Sequence, residues 1–252
     1  MLNYPTEDKL RELKLTGMLQ AWHEQHEMPE SASLDFEERF GLLLDREATE
    51  RANRRLKIRM RKAKLRQDAS LEDIDYGAPR GLDKKLMLSL AGCQWIREHH
   101  NCLITGPTGS GKSFLACALA QKACREGHTA LYLRMPRLFQ ELAIAKGDGR
   151  YSKLMAGYAK TRLLVLDDWG MAGLTDEQRR DLFEVIEDRY DRASTLITSQ
   201  VPVKNWHEVI GDPTLADAIL DRLVHNAYKI NLKGDSMRKK QKSLTEGSGT
   251  VT

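Results

Sequence analysis

The sequence predicts an α/β protein, a parallel sheet covered by helices on both faces, behind an all-helical N-terminal region. Three observations carry this. Short apolar runs at 102–105, 129–133, 163–167, 195–199 and 228–232 are separated by stretches that read as helices. A glycine-rich turn, GPTGSGKS at 106–113, stands between the first run and an amphipathic segment. Residues 1 to about 70, by contrast, read as helices throughout. The expected organisation is a helical domain at 1–70, an α/β domain at 71–240, and a polar, small-residue tail at 241–252, QKSLTEGSGTVT from Gln241, expected to be disordered.

In the N-terminal region, Thr6 followed by Glu7 and Asp8 marks a helix start, and MPESAS at 28–33 interrupts the pattern. A second helix should open near Leu34 or Asp35 and continue to residue 66. Its charge is unevenly spread: residues 51–66 hold Arg51, Arg54, Arg55, Lys57, Arg59, Arg61, Lys62, Lys64 and Arg66 and no acid. Solvated helices usually mix signs along an exposed face, so this run calls for an anionic neighbour or a tolerance for self-repulsion. A phosphate-tracking surface for nucleic acid fits; an exposed basic helix, or a docking face for an acidic patch of the same protein, is the alternative.

The chain has 252 residues, enough for one full α/β domain and a smaller appendage, and its net charge of +4 permits an anionic partner without requiring one. Cys93, Cys102, Cys117 and Cys124 include no C-x-x-C pair and are expected to be reduced thiols in the core. His99 and His100 have no acid or cysteine at ligand spacing, which argues against zinc. No apolar run approaches the length of a membrane span and the N-terminus lacks a signal-peptide core, so a cytoplasmic protein without a membrane partner is expected.

The glycine-rich turn carries the first functional signal. Gly106, Gly109 and Gly111 allow the backbone to wrap its N–H groups around phosphate oxygens, with Pro107, Thr108 and Ser110 completing the loop. Lys112 reaches the β- and γ-phosphates, Ser113 offers a hydroxyl to Mg²⁺, and the helix that follows directs its positive end at the same anion. ATP with Mg²⁺ is the implied cofactor. The second signal is LLVLDDWG at 163–170, in which two acids emerge from the carboxyl end of a buried strand. Asp167 suits metal binding through water, and Asp168 suits orienting or deprotonating the water that attacks the γ-phosphate.

In this order, with TLITSQVPVKNWHEVIGDPTLADAILDRLVHNAYKINLKGDSMRK downstream from Thr195, the chain resembles the AAA+ ATPases. More narrowly it is similar to the IstB-type ATP-binding helpers of insertion-sequence transposition, relatives of the DnaC helicase loaders. LKLTGMLQAW (13–22), LDFEERFGLLLDREATERANRRLKIRMRKAKLR (34–66) and SLEDIDYGAPRGLDKKLMLSLAGCQWI (70–96) extend the likeness to nearly the whole chain, up to about Lys240.

The resemblance implies an AAA+ P-loop core whose helical lid is truncated or absent. It implies that a polar residue at the tip of the fourth strand, one of Thr198, Ser199 and Gln200, senses the γ-phosphate. Related sequences often carry Asn at the position of Gln200 and Glu at that of Asp168, and the shorter acid could slow hydrolysis by misplacing water. Arg222 matches the arginine finger that reaches a neighbouring subunit's nucleotide, with an ion pair to Asp217 or Asp221 as the alternative. Arg238 resembles the later arginine that senses nucleotide state. The segment 134–160 corresponds to the region lining the central channel in DnaA- and DnaC-like assemblies, so Arg134, Arg137, Lys146, Arg150 and Lys153 become candidates for the DNA backbone, with solvated charges on ordinary helices as the alternative.

The expected function is an ATPase that assembles into an ATP-dependent oligomer on duplex DNA and delivers that DNA to a partner transposase. A DnaC-like replicative helicase loader, preferring single strands, is the alternative. A small-molecule P-loop kinase is a third class, opposed by the paired acids and the absence of an evident acceptor pocket.

Overall fold

The computed structural model describes residues 5–234, 236 and 237. They form two compact units, divided between Ile58 and Arg59. The division falls inside the long second helix rather than after it at residue 70. Residues just past the division belong to the second unit because they pack there: Arg59 Nε donates to the Cys124 carbonyl at 2.8 Å, and Ala63 and Ala69 are buried. The expected tail at 241–252 lies outside the described residues.

The first unit is helical. Helix α1 (Pro5–Glu12) begins on a proline, which loses nothing at a first-turn position, and α2 spans Thr16–Glu27. The MPESAS break forms a short 3₁₀ turn. Helix α3 (Phe36–Ala63) then opens on reciprocal capping: the Glu38 amide donates to Asp35 Oδ1 at 2.8 Å and the Asp35 amide to Glu38 Oε2 at 3.0 Å. Leu10, Met18, Ala21 and Leu43 make a small core. Its helices approach closely at Gly17, where a Cβ would lie 2.7 Å from the Arg46 carbonyl oxygen.

The second unit is built on a parallel sheet of β1 (Asn101–Thr105), β2 (Ala130–Arg134), β3 (Leu163–Trp169), β4 (Ser194–Ser199) and β5 (Ala227–Asn231). Strand order is β2-β3-β4-β1-β5, every neighbouring pair parallel. Each expected strand forms, with ends displaced by no more than two residues. Helices α4 (Lys84–Ala91) and α5 (Gln94–Arg97) precede the sheet, and α6 (Lys112–Arg125), α7 (Met135–Gly147), α8 (Tyr151–Lys160), α9 (Asp176–Glu187), α10 (Trp206–Ile210) and α11 (Pro213–Val224) fill the crossovers.

Alternation along the strands divides the core. Leu103, Leu164, Leu166 and Ile197 join Leu138, Leu142, Leu182, Trp206 and Ile219 from α7, α9, α10 and α11 in one apolar cluster. The intervening Cys102, Ile104, Val165 and Leu196, equally buried, project to the opposite face. Helix α6 packs on the sheet and is buried nearly all round, which its small residues Ala116, Cys117, Ala118, Ala120, Ala123 and Cys124 permit. Each fully buried Leu or Ile contributes about 2 kcal/mol relative to exposure. All four cysteines are buried free thiols, and burial pushes Cys93 up to about 11 and Cys102 up to about 12, so they are inert.

A parallel sheet in this order gathers the carboxyl ends of β1, β3 and β4 along one edge, and two irregularities shape it. The β3–β4 register shifts between Leu166 and Trp169, and Asp168 sits at φ 63°, an uncommon conformation for a non-glycine residue. After β5 the chain returns across the same edge: the amides of Leu232 and Met237 donate to the carbonyls of Thr105 and Gly109 at 2.7 and 2.9 Å. No helix of the described residues is long and apolar enough to cross a membrane.

Candidate nucleotide site and its surroundings

The phosphate loop leaves β1 at Thr105 and enters α6 at Lys112. Gly106, Gly109 and Gly111 have φ of 150°, 82° and 94°, and a Cβ on any of them would come within 2.6 Å or less of a neighbouring atom. Backbone hand therefore favours glycine at all three, and at Gly106 the close approach of the Leu232 carbonyl adds a second requirement. Lys112 Nζ donates to the carbonyls of Gly106 and Pro107 at 2.8 Å each, so the ammonium lies folded within its own loop. Thr108 Oγ1 donates to Gln200 Oε1 at 2.6 Å, joining the loop to the tip of β4.

Asp167 is the electrostatic centre. It is fully buried at the end of β3 and accepts from Ser113 Oγ at 2.9 and 3.1 Å, from the hydroxyls of Tyr132 and Thr198, and from Arg66 Nη1 at 3.5 Å. Burial alone would raise its pKa, but the hydrogen bonds from Thr198, Tyr132, Ser113 and the Asp168 amide outweigh that and hold the carboxyl below its ordinary range. It is therefore an anion at neutral pH. A hard cation fits this donor set: one ionised carboxylate and one adjacent hydroxyl, with the remaining positions left to phosphate oxygens and water, is how Mg²⁺ is commonly held. No group of three or more His, Cys, Asp or Glu side chains that could hold a metal ion occurs among the described residues, so a metal here would depend on the nucleotide.

Asp168, next along the strand, leaves the buried row because its positive φ turns it outward. Its Oδ2 accepts from Arg134 Nε at 2.6 Å. Arg134, expected on a DNA-lining segment, thus stands at the end of β2 beside the second acid, in register with Asp167.

The fourth-strand tip resolves into three different environments. Thr198 donates to Asp167, and Gln200 meets the phosphate loop through Thr108. Ser199 is buried, donates to the Trp169 carbonyl at 2.8 Å and accepts from the Val201 amide at 3.0 Å. Of the three candidates at this tip, Ser199 thus has its hydroxyl engaged beside Trp169, while Thr198 and Gln200 reach Asp167 and the loop.

A cleft of about 490 Å³ opens beside the loop, lined by Lys112, Ser113 and Phe114 together with Arg66, Asp75 and Arg80 from the segment ahead of α4. Arg80 is almost wholly buried, donates to the carbonyls of Ser110 and Asp75 at 3.2 Å each, and keeps a buried Nε with no hydrogen-bond partner. Burial lowers its pKa, opposed by Asp75. Sequence reasoning missed Arg80 and Tyr132 because each stands alone among unrelated residues; only the fold brings them to the loop.

Arg222 lies at the far end of the sheet. Asn101, at the start of β1, donates through Nδ2 to the Arg222 carbonyl at 3.0 Å, whereas the phosphate loop follows the end of β1. The guanidinium pairs with Glu187, donates to the Ala218 carbonyl at 2.9 Å, and faces the rings of Phe183 and Tyr190. Its ion-pair partner is thus Glu187 rather than Asp217 or Asp221. The length of β1, roughly 13 Å at about 3.3 Å per residue, lies between Arg222 and the phosphate loop. Arg238 lies outside the described residues.

The basic residues separate into engaged and open ones. Arg51 pairs with Glu47 at 2.6 Å, Arg54 donates to Thr16 Oγ1 at 2.7 Å, Arg59 is bound to the Cys124 carbonyl, and Arg66 turns to Asp167. Arg66, expected on the DNA surface with the others, stands apart from them: α3 ends at Ala63, Lys64 takes φ 50°, and Arg66 lines the cleft beside the loop. Arg55, Lys57, Arg61, Lys62 and Lys64 are exposed with no ion pair among the described residues. On the 134–160 segment, Arg137 pairs with Glu141 at 2.9 Å and Arg150 with Asp148 at 2.8 Å, both on the surface. Lys146 is held by Glu177 at 2.9 Å and Asp181 at 2.6 Å, which makes it a tie between α7 and α9 rather than an open cation.

With this geometry in place, comparison with known proteins adds the lineage. Residues 8–245 match the IstB-like ATP binding protein family. Over 242 residues the chain is 54% identical to an insertion sequence ATP-binding protein of Sinorhizobium fredii (strain NBRC 101917 / NGR234), covering 96% of this chain and 99% of that one. Among solved structures it is similar to the crystal structure of DnaI, with a TM-score of 0.57 and 22% identity over 67% of this chain and 92% of that one. The DnaC helicase loader superposes with a TM-score of 0.51 at 18% identity, over 68% and 97% of the two chains. These neighbours share the AAA+ P-loop fold. A phosphate loop and buried acid on this sheet order, and a match that runs almost from end to end, lead to one conclusion: the chain belongs to the IstB-like ATP-binding protein family.

Proposed function

We propose that this protein is an ATP-dependent regulator of insertion-sequence transposition, which assembles on duplex DNA and delivers it to a partner transposase. The observation that carries the reading is the coexistence, in one member of this family, of a phosphate loop beside a buried acid and of exposed cations, Arg55, Lys57, Arg61, Lys62 and Lys64, that form no ion pair among the described residues. Unpaired cations on and just past one helix favour a polyanion. Relatives named as insertion sequence ATP-binding proteins favour transposition over helicase loading.

Hydrolysis follows from the chain's own groups. The loop amides and Lys112 bind the β- and γ-phosphates, Lys112 exchanging its contacts to the Gly106 and Pro107 carbonyls for phosphate oxygens. Ser113 and Asp167 would hold Mg²⁺, which when bound supplies charge neutralisation across the phosphates. Asp168 orients the attacking water once Arg134 releases it; while the two are paired, its Oδ2 is occupied. Gln200 reports the terminal phosphate to the Thr108 side of the loop. Arg222, at the far end of β1 from its own loop, serves the site of a neighbouring copy, so turnover depends on assembly.

The test is sedimentation of the full chain with a duplex of defined length, in ATP, in ADP and without nucleotide. A large protein–duplex species formed in ATP alone is expected, and absent for Lys112→Ala. Equal sedimentation in all three conditions contradicts the proposal.

A further inference from the structure

Arg66 is the ninth cation of the run from 51 to 66, and the only one of them whose side chain faces a carboxylate of the nucleotide site. It stands three residues beyond the end of α3, past the left-handed turn at Lys64. Its guanidinium lies 3.5 Å from Asp167 Oδ2 and lines the same cleft as Lys112 and Ser113. Asp167 receives neutral hydroxyls from Ser113, Tyr132 and Thr198, and Arg66 adds a cation to them. The arm is not locked in the core: its side chain remains 44% exposed, on the cleft side, where a ligand can reach it.

We infer that Arg66 is a nucleotide-binding residue, a second cation acting in cis with Lys112 on the terminal phosphates of a bound nucleoside triphosphate. The inference rests on the reading of this cleft as a triphosphate site. A triphosphate brings more negative charge than Lys112 and one divalent cation neutralise, and its terminal end must lie near Ser113 and Asp167 if those residues hold the cation. A guanidinium already beside Asp167 is within a side-chain rotation of those oxygens. Its planar fork can donate to phosphate and carboxylate together, which an ammonium cannot do with the same geometry. In the nucleotide-free state Arg66 balances the Asp167 charge; with nucleotide bound it moves its donors to the phosphates. Because the exposed cations Arg61, Lys62 and Lys64 lie within a few residues of Arg66, occupancy of the nucleotide site fixes the stretch of chain that carries them.

The experiment uses the full-length protein and two titrations. The first measures the affinity for a fluorescent ATP analogue with Mg²⁺ and without DNA, repeated for the ADP analogue. The second measures nucleotide-free duplex binding as a function of salt. Arg66→Gln should weaken the ATP analogue by about tenfold, the loss expected for one charge-assisted contact, and weaken the ADP analogue less. It should leave the salt slope of duplex binding unchanged. Arg61→Gln should do the reverse. Arg66→Lys should recover part of the ATP affinity, and serves as the working variant if Arg66→Gln lowers the unfolding temperature; it should then bind ATP more weakly than wild type, with an unchanged salt slope. Wild-type affinity for ATP in both Arg66 variants overturns the inference, and a duplex salt slope reduced by about one returns Arg66 to the DNA surface. If wild type itself fails to bind the ATP analogue, the triphosphate reading of the cleft falls with it, an outcome distinct from a silent Arg66 variant.

Discussion

Arg134 Nε lies 2.6 Å from Asp168 Oδ2, joining the last residue of β2 to the second acid of β3. The carboxylate proposed to orient the attacking water is thereby held by a cation from the segment that leads into α7. A resting site with its acid occupied should turn over slowly. Arg134→Gln is expected to raise basal ATP hydrolysis several-fold in the absence of DNA, measured by phosphate release, with nucleotide affinity unchanged. A variant no faster than wild type would mean that the pair does not restrain Asp168.

Lys112→Ala should abolish tight binding of ATP analogues, because the loop amides alone cannot replace the ammonium at the β- and γ-phosphates. A loss of at least about tenfold, 1.4 kcal/mol, is expected by equilibrium titration. Retained affinity would remove the loop from the nucleotide site.

Arg222→Ala should bind ATP normally and lose assembly-dependent turnover. Mixing it with Lys112→Ala gives a sharper readout, since each variant is expected to be inactive alone. If Arg222 acts on a neighbour's nucleotide, the mixture regains activity at sites where an intact loop meets an intact arginine. Continued silence of the mixture, with both variants shown to co-assemble, argues for a structural role in the Glu187, Phe183 and Tyr190 cluster.

In the N-terminal unit, Glu47 accepts from the amides of Gly17 and Met18 at 2.8 and 3.2 Å and from Arg51 at 2.6 Å. Burial would raise its pKa, but the Arg51 hydrogen bond and the two amides at the start of α2 outweigh it, so the folded value is lowered. A depressed carboxyl contributes stability that is fully present above its unfolded pKa and lost as pH falls through its folded pKa. Glu47→Gln should therefore destabilise the unit at neutral pH, by about 2 kcal/mol, and the difference from wild type should shrink in acid. Urea unfolding at neutral pH and in the acid range checks both the size and the sign.

Much of this was legible in the sequence because the signals are local. The apolar runs report strands, the three glycines report a backbone that must approach an anion, and consecutive acids after LLVL report a strand end. What was not legible depends on chain reversals and on partners distant in sequence. The run from 51 to 66 reads as one basic surface, yet the αL turn at Lys64 sends Arg66 inward, and packing of Ala63 brings Arg59 to the Cys124 carbonyl. Thr198, Ser199 and Gln200 read as equivalents, and only strand alternation and the register against Trp169 separate them. Tyr132 and Arg80 carry no motif. The first contributes a hydroxyl to Asp167 through the β2–β3 pairing, and the second reaches the Ser110 carbonyl from a linker 30 residues upstream.

The central claim is that ATP turnover is coupled to duplex DNA. ATP hydrolysis by the purified full-length chain, alone, with duplex and with single strands of equal length, tests it most directly. Stimulation mainly by duplex is expected, lost when Arg55, Arg61 and Lys62 are reversed to Glu and kept when Lys146 is changed to Gln. Stimulation mainly by single strands, or a rate indifferent to both, would contradict it.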